Sequence, residues 1–130
     1  MVLNVRCVAY VAHMAELDYA FIADFARVEP NGTLTALGAS WTYVAVRNVP
    51  IPLRLAVAGR MRLQESEQSV PMRIEIENSS GELVVGTDFD LSVPTDAFAY
   101  RHGRVGVLFA VNAVMPITEP GLVHVGVYAN

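Results

Sequence analysis

The chain of 130 residues has no lysine; all nine of its basic residues are arginine. That absence removes a Walker-type phosphate site, which needs a lysine at a glycine-rich strand-to-helix junction. Charge of either sign is scarce, at 17% of residues, against about 25% in an average globular chain. The net charge is −4 and the isoelectric point is near 5.2. A non-specific nucleic-acid binder carries a basic patch and a high isoelectric point, so nucleic acid is not an expected partner. Cysteine occurs once, at Cys7. No intrachain disulfide can form, nothing points to an oxidising compartment, and a cytoplasmic location is expected. No apolar run reaches the ~20 residues of a membrane span. The apolar start from Met1 to His13 is interrupted by Asn4 and Arg6 and lacks a basic front end and a cleavage site, so it does not read as a signal peptide.

Hydrophobic residues are plentiful, at 53%, with a mean hydropathy of +0.37. Either the core is large for the chain length or apolar surface is covered by another chain. A small two-layer domain has limited interior, which favours the second. Arginine without lysine, among much alanine and valine, suggests a GC-rich bacterial genome.

Apolar residues recur with period two and almost nowhere with helical period. Leu17, Tyr19, Phe21, Ala23 and Phe25 share one parity, with Asp18, Ile22 and Asp24 on the other. Pro30-Asn31-Gly32 is a turn. Thr33 to Leu37 resumes a strand, Gly38-Ala39-Ser40 bends it, and Trp41 to Val46 continues it. Leu53, Leu55, Val57, Met61 and Leu63 face inward, with Arg54, Arg60 and Arg62 outward. Met72, Ile74 and Ile76 face inward, against Arg73, Glu75 and Glu77. Opposite charges across a ladder favour pairing of these two segments. Asn78 to Gly81 is a hairpin turn, and Leu83 to Phe89 follows. Two valine-rich strands, 105–111 and 123–127, end the chain, after a loop in which Thr95 to Tyr100 has room for one helical turn.

The pattern predicts an all-β fold: one antiparallel two-sheet sandwich of about seven to eight strands, immunoglobulin-like or C2-like, spanning residues 1–130. Residues 1–13 read as an N-terminal extension, with Met14 a second start, or as an extra strand in which Leu3, Val5, Cys7, Ala9 and Val11 share a face. The middle strands each have a charged face; the first and last two do not. If those three share a sheet, its outer face is apolar, with Ile22, Leu108, Val114, Leu122 and Tyr128 as interface candidates. A homo-oligomer or a protein partner is expected; the alternative is that the N-terminal segment covers that face.

Chemistry-bearing residues do not converge in the sequence. Asp88, Asp90 and Asp96 lie around a strand-to-loop junction, as calcium ligands do, but their spacing matches no full ligand set, and an outward Asp-x-Asp is more often solvated charge. Arg101, His102 and Arg104 could hold an anion; a polar loop is the plainer reading. His13 and His124 lie far from these and from each other. Ser40 has no nucleophile-elbow pattern, and Cys7 sits in an apolar strand where thiols are inert. Gly32, Gly38, Gly103 and Gly106 build no phosphate loop. Trp41 and Tyr43 read as core or interface aromatics. No catalytic residue and no cofactor is expected.

The segments Ala23-Asp24-Phe25-Ala26, Asn31-Gly32-Thr33-Leu34 and Leu37-Gly38-Ala39-Ser40-Trp41-Thr42 resemble the opening of an uncharacterised family of small bacterial β-sandwich proteins, a domain of unknown function with an immunoglobulin-like pattern. Pro120-Gly121 before the last strand is similar too, though common to many immunoglobulin-like domains. The likeness is carried by residues 17–46. It departs from the family at Ala39-Ser40, where more glycine is usual. It implies the fold and brings no activity. The expected function is therefore a non-enzymatic protein-interaction or assembly module. The alternative is a sandwich that binds a small ligand, an anion or calcium, and an enzyme ranks last.

Overall fold

A strand buried on one face should alternate, and one buried on both faces should not. The computed structural model, which describes residues 2–11 and 15–129, contains strands of both kinds. Ten are present among the described residues: β1 (Val2–Val11), β2 (Glu16–Ala23), β3 (Phe25–Val28), β4 (Leu34–Leu37), β5 (Tyr43–Ala45), β6 (Ile51–Gln64), β7 (Ser69–Glu77), β8 (Leu83–Ser92), β9 (Arg104–Ile117) and β10 (Gly121–Ala129). The segment expected to hold one helical turn forms turns; a single 3-10 turn follows it at Arg101–Gly103.

The strands form a five-stranded sheet in the order β5-β1-β10-β7-β8, a three-stranded sheet β2-β6-β9, and a β3-β4 hairpin. Most pairs are antiparallel. The exception is β1 with β10, which run parallel from Leu3 opposite Gly121 to Val11 opposite Ala129. Described residues of the N-terminal segment are thus an integral strand: Leu3 and Val5 face the core. The two larger sheets are not closed into a barrel. They share one apolar core: Met72, Ile74, Ile76, Val125 and Val127 from one side, Leu55, Val57, Met61, Leu63 and Phe109 from the other. No polar or charged residue is fully buried among those described.

A second, smaller core lies on the outer face of the three-stranded sheet. Ala23, Ala56 and Ala58 there are covered by Ala26 of the β3-β4 hairpin, with Phe21, Leu34, Ala36 and Ala110 around them. Alanine on both surfaces lets backbone approach backbone. Asn112 of β9 fastens the hairpin: its Oδ1 accepts from the Ala26 N–H at 3.2 Å and its Nδ2 donates to the Ala26 carbonyl at 2.8 Å. The hairpin reverses at Pro30-Asn31-Gly32 as expected, with Asn31 Oδ1 accepting from the Thr33 N–H and hydroxyl. At its base Gly38 has φ +59, and a Cβ there would strike the Asp24 carboxylate, so no other residue fits without strain.

Three expectations are corrected. First, β6 does not pair with β7: β6 lies between β2 and β9, and β7 lies between β10 and β8. The charges expected to join them are satisfied elsewhere, Arg73 Nη1 lying 2.7 Å from Asp88 of β8 and Arg60 Nε 2.7 Å from Asp18 of β2. Second, β2 and β9 share a sheet but β10 belongs to the other, so the outer faces carrying Val114 and Leu122 are on opposite sides of the molecule. Third, the register of β2 shifts between Leu17 and Tyr19, leaving Asp18 as an extra residue in a β-bulge. The shift inverts the face of everything after it, so Ile22 points into the core, 4% exposed, and Phe21 points outward.

Replacing Asn112 with alanine is expected to cost about 1–2 kcal/mol, because two hydrogen bonds to Ala26 are lost. A lower urea midpoint together with faster hydrogen exchange at the Ala26 amide would confirm that this side chain holds the hairpin down.

Candidate interaction surface

An unpaired strand edge presents a row of N–H and C=O groups, and proteins blunt such edges with charge, proline, bulges or brevity. The two larger sheets have four edge strands among the described residues, and three of them are blunted. β5 is three residues long, and beyond it β1 continues the edge to Val11, carrying Arg6 and with its Val5 N–H taken by the Thr42 carbonyl. β8 carries Asp88 and Asp90, both exposed. β2 carries Glu16 and the Asp18 bulge, and its far end is capped: the Ser40 N–H donates to the Ile22 carbonyl at 2.7 Å and the Asp24 N–H to the Leu37 carbonyl at 2.9 Å.

β9 has none of these devices until Pro116. It pairs with β6 along its whole length, from Ile117 opposite Ile51 to Arg104 opposite Gln64, and its other edge is paired in a ladder with no strand among the described residues. Every residue after Arg104 is uncharged. Val105, Val107, Phe109, Met115 and Ile117 enter the core, while Gly106, Asn112 and Val114 are exposed and Leu108 is half-buried. Apolar groups continue around it. Beside Val114, a shallow cleft is lined by Phe25, Leu55, Asn112 and Ala113, with Asp24 and Arg54 on its rim. Before the strand, Phe98 is 94% exposed and Tyr100 50%.

The interface candidates are therefore divided. Leu108 and Val114 lie along β9; Leu122 and Tyr128 lie on the outer face of the five-stranded sheet. There the Tyr128 ring stacks on Tyr10 at 4.8 Å and covers Gly126, and burial first, then nearby Glu75, raises its hydroxyl pKa. Ile22 is inside.

The other candidates are not gathered into sites. Asp88 pairs with Arg73, Asp90 lies opposite Pro71 on β8, and Asp96 is exposed in the following loop. No group of three His, Cys, Asp or Glu among the described residues is placed to hold a metal ion. His102 has φ 53 in the 3-10 turn. Arg104 Nη1 is 3.2 Å from Glu16 Oε1, yet buried without a hydrogen bond of good geometry, so it faces a carboxylate rather than an open anion site. The Arg101 side chain, His13 and Met14 lie outside the described residues.

Sequence reasoning missed a charged cluster beside β9. Asp18, its side chain 4% exposed, accepts from both Arg60 and Arg62. Its hydrogen bond is the main reason the Arg62 guanidinium pKa is raised. Arg60 also sits 5.3 Å above the Tyr19 ring. Leu17-Asp18-Tyr19 carries no local mark of a bulge; only three outward arginines on β6 needing a carboxylate hinted at it.

Compared with known proteins, the chain matches no family model, no curated protein and no solved structure. No described helix is long and apolar enough to cross a membrane.

Asp18→Asn keeps the shape of the bulge and removes its charge. A loss of about 1–2 kcal/mol is expected, since both arginines are partly exposed and screened. Urea unfolding at low and high salt checks this, and the loss should persist in salt because the carboxylate itself is buried.

Proposed function

We propose that the protein is a non-enzymatic protein-interaction or assembly module that self-associates edge to edge along β9. The observation that carries this reading is the uncharged, unpaired outer edge of β9 from Val105 to Ile117. Two such edges placed antiparallel across a two-fold axis would satisfy each other's backbone groups and join two three-stranded sheets into one. Leu108 and Val114 would then be covered, together with the apolar cleft at Phe25, and the rim residues Asp24 and Arg54 supply opposite charges for the partner copy. The low charge content and high mean hydropathy support the same reading. Two packed sheets support an immunoglobulin-like or C2-like type of sandwich. The composition supports a bacterial source, and the single cysteine a cytoplasmic setting.

Light scattering across a concentration range tests the reading. The expected mass is a multiple of the 14.1 kDa chain. Leu108→Glu should reduce it to one chain while leaving the fold intact, because Leu108 lies opposite Arg60 on β6 and the new carboxylate would face a guanidinium. Leu122→Glu, on the other sheet, should leave the oligomer unchanged. A wild-type monomer at every concentration, or an oligomer that survives Leu108→Glu, would overturn the assembly.

A further inference from the structure

The tip of the β3-β4 hairpin carries a reactive group that neither the core nor the β9 edge uses. Asn31-Gly32 is the one place in the chain where glycine follows asparagine. Both residues are exposed. Gly32 has φ +81, and nothing lies within 4 Å of where a Cβ would stand. Asn31 Oδ1 accepts from the Thr33 N–H at 3.2 Å and from the Thr33 hydroxyl at 2.7 Å. Below the tip the hairpin is tied together. The Glu29 N–H donates to the Thr33 carbonyl at 2.8 Å, and the Glu29 carboxylate accepts from Arg27 and from the Thr35 hydroxyl.

The amide carbon of an asparagine side chain is an electrophile, and the nearest backbone nucleophile is the nitrogen of the next residue. A side chain on that next residue hinders the attack, and Gly32 has none. The attack places negative charge on Oδ1. Donors already aimed at an oxygen that becomes an oxyanion lower the barrier, and here there are two. One bond opposes the step: the Gly32 N–H donates to the Glu29 carbonyl at 3.0 Å and has to be released. A single turn hydrogen bond at an exposed tip belongs to the interactions that open locally at low free-energy cost.

We propose that Asn31 is a site of spontaneous deamidation in the folded protein, and that the change loosens the tip of the hairpin. Solvent hydroxide takes the Gly32 N–H proton, and the nitrogen forms a bond to Asn31 Cγ. The Cγ–Nδ2 bond then breaks, and Nδ2 leaves as ammonia with a proton from water. Water opens the resulting five-membered imide at either carbonyl, giving aspartate or isoaspartate. Water is the only co-reactant. Both products add a carboxylate two residues from Glu29. Isoaspartate also routes the main chain through the former side chain, which lengthens the turn and works against the Glu29–Thr33 bond. The site lies apart from the β9 edge, so the inference does not depend on the assembly reading.

Asn78 is the internal comparison. Its Oδ1 also accepts from two N–H groups, Ser80 at 3.0 Å and Glu82 at 2.9 Å, but the residue that follows it is Ser79. The test holds the full, folded chain in mildly alkaline buffer and follows each asparagine by peptide mapping with mass spectrometry. Asn31 is expected to gain the mass of amide-to-acid conversion about tenfold faster than Asn78, a difference equal to one decade of barrier lowering, and to yield both aspartate and isoaspartate. Gly32→Ala should suppress the conversion. Converted chains, separated by anion exchange, should show faster hydrogen exchange at the Glu29 amide. The proposal is overturned if Asn31 keeps its amide in the folded chain while converting in the urea-unfolded one. Conversion of Asn78 at the same rate, conversion undiminished in Gly32→Ala, or unchanged exchange at Glu29 in the converted chains would also overturn it.

Discussion

β6 constrains nearly everything around it. Its inner face, Leu55, Val57, Met61 and Leu63, is at most 1% exposed. Its outer face changes character halfway along, from Ala56 and Ala58 to Arg60 and Arg62. Each half imposes a different demand on the neighbouring strands. The alanines leave a shallow apolar strip that a second backbone can approach closely, and the β3-β4 hairpin settles there through Ala26. Alanine burial is weak per residue, since little area is removed from water, so the attachment also uses the two hydrogen bonds from Asn112. The arginines need a carboxylate, and β2 supplies one by inserting Asp18 as an extra residue. A bulge in β2, a hairpin folded back on the sheet and a polar residue in the middle of β9 all answer to one strand.

The five-stranded sheet solves its outer face differently. It is left to solvent and covered by flat side chains lying across glycines. Tyr128 covers Gly126, where a Cβ would collide with the ring, and stacks on Tyr10. Arg73 covers Gly86, with its guanidinium between Glu75 and Asp88 at 2.7 Å from each. Such pairs contribute little stability, because Asp88 is 74% exposed. What they provide is charge on a face that water wets. Apolar groups are nonetheless exposed on the sheet's strands, Tyr43, Leu83 and Leu122 among them, interspersed with these charged pairs.

The positions of the strands were legible because period two survives in almost every segment; the inward set of β6 was read correctly to the residue. So were the turn at Pro30-Asn31-Gly32 and the hairpin at Asn78-Ser79-Ser80-Gly81, where side-chain amides and glycines leave a local signature. Pairing beyond these two hairpins was not legible. Arg73, Arg60 and Arg62 each had several carboxylates of suitable parity, and charge alone does not choose among them. Face assignment failed in β2 for a sharper reason. One inserted residue reverses every later side chain, so Ile22 was placed outside and is inside. The candidate surface was half legible: Leu108 and Val114 stood out as apolar residues opposite an inward set. That the β3-β4 hairpin, and not the N-terminal segment, covers the neighbouring alanines required knowing where Asn112 reaches.

The two long sides of the double layer are closed by opposite means. On the β8–β9 side, Phe89 and Phe109 meet across the two sheets with ring centroids 6.5 Å apart. What that side offers a partner is backbone: the unpaired edge of β9. On the β1–β2 side, Cys7 and Ala20 are too small to meet. The interior stays accessible, while the edge of β2 is occupied by the hydrogen bonds of residues 37–40. The edge strand left unpaired over its whole length is therefore β9.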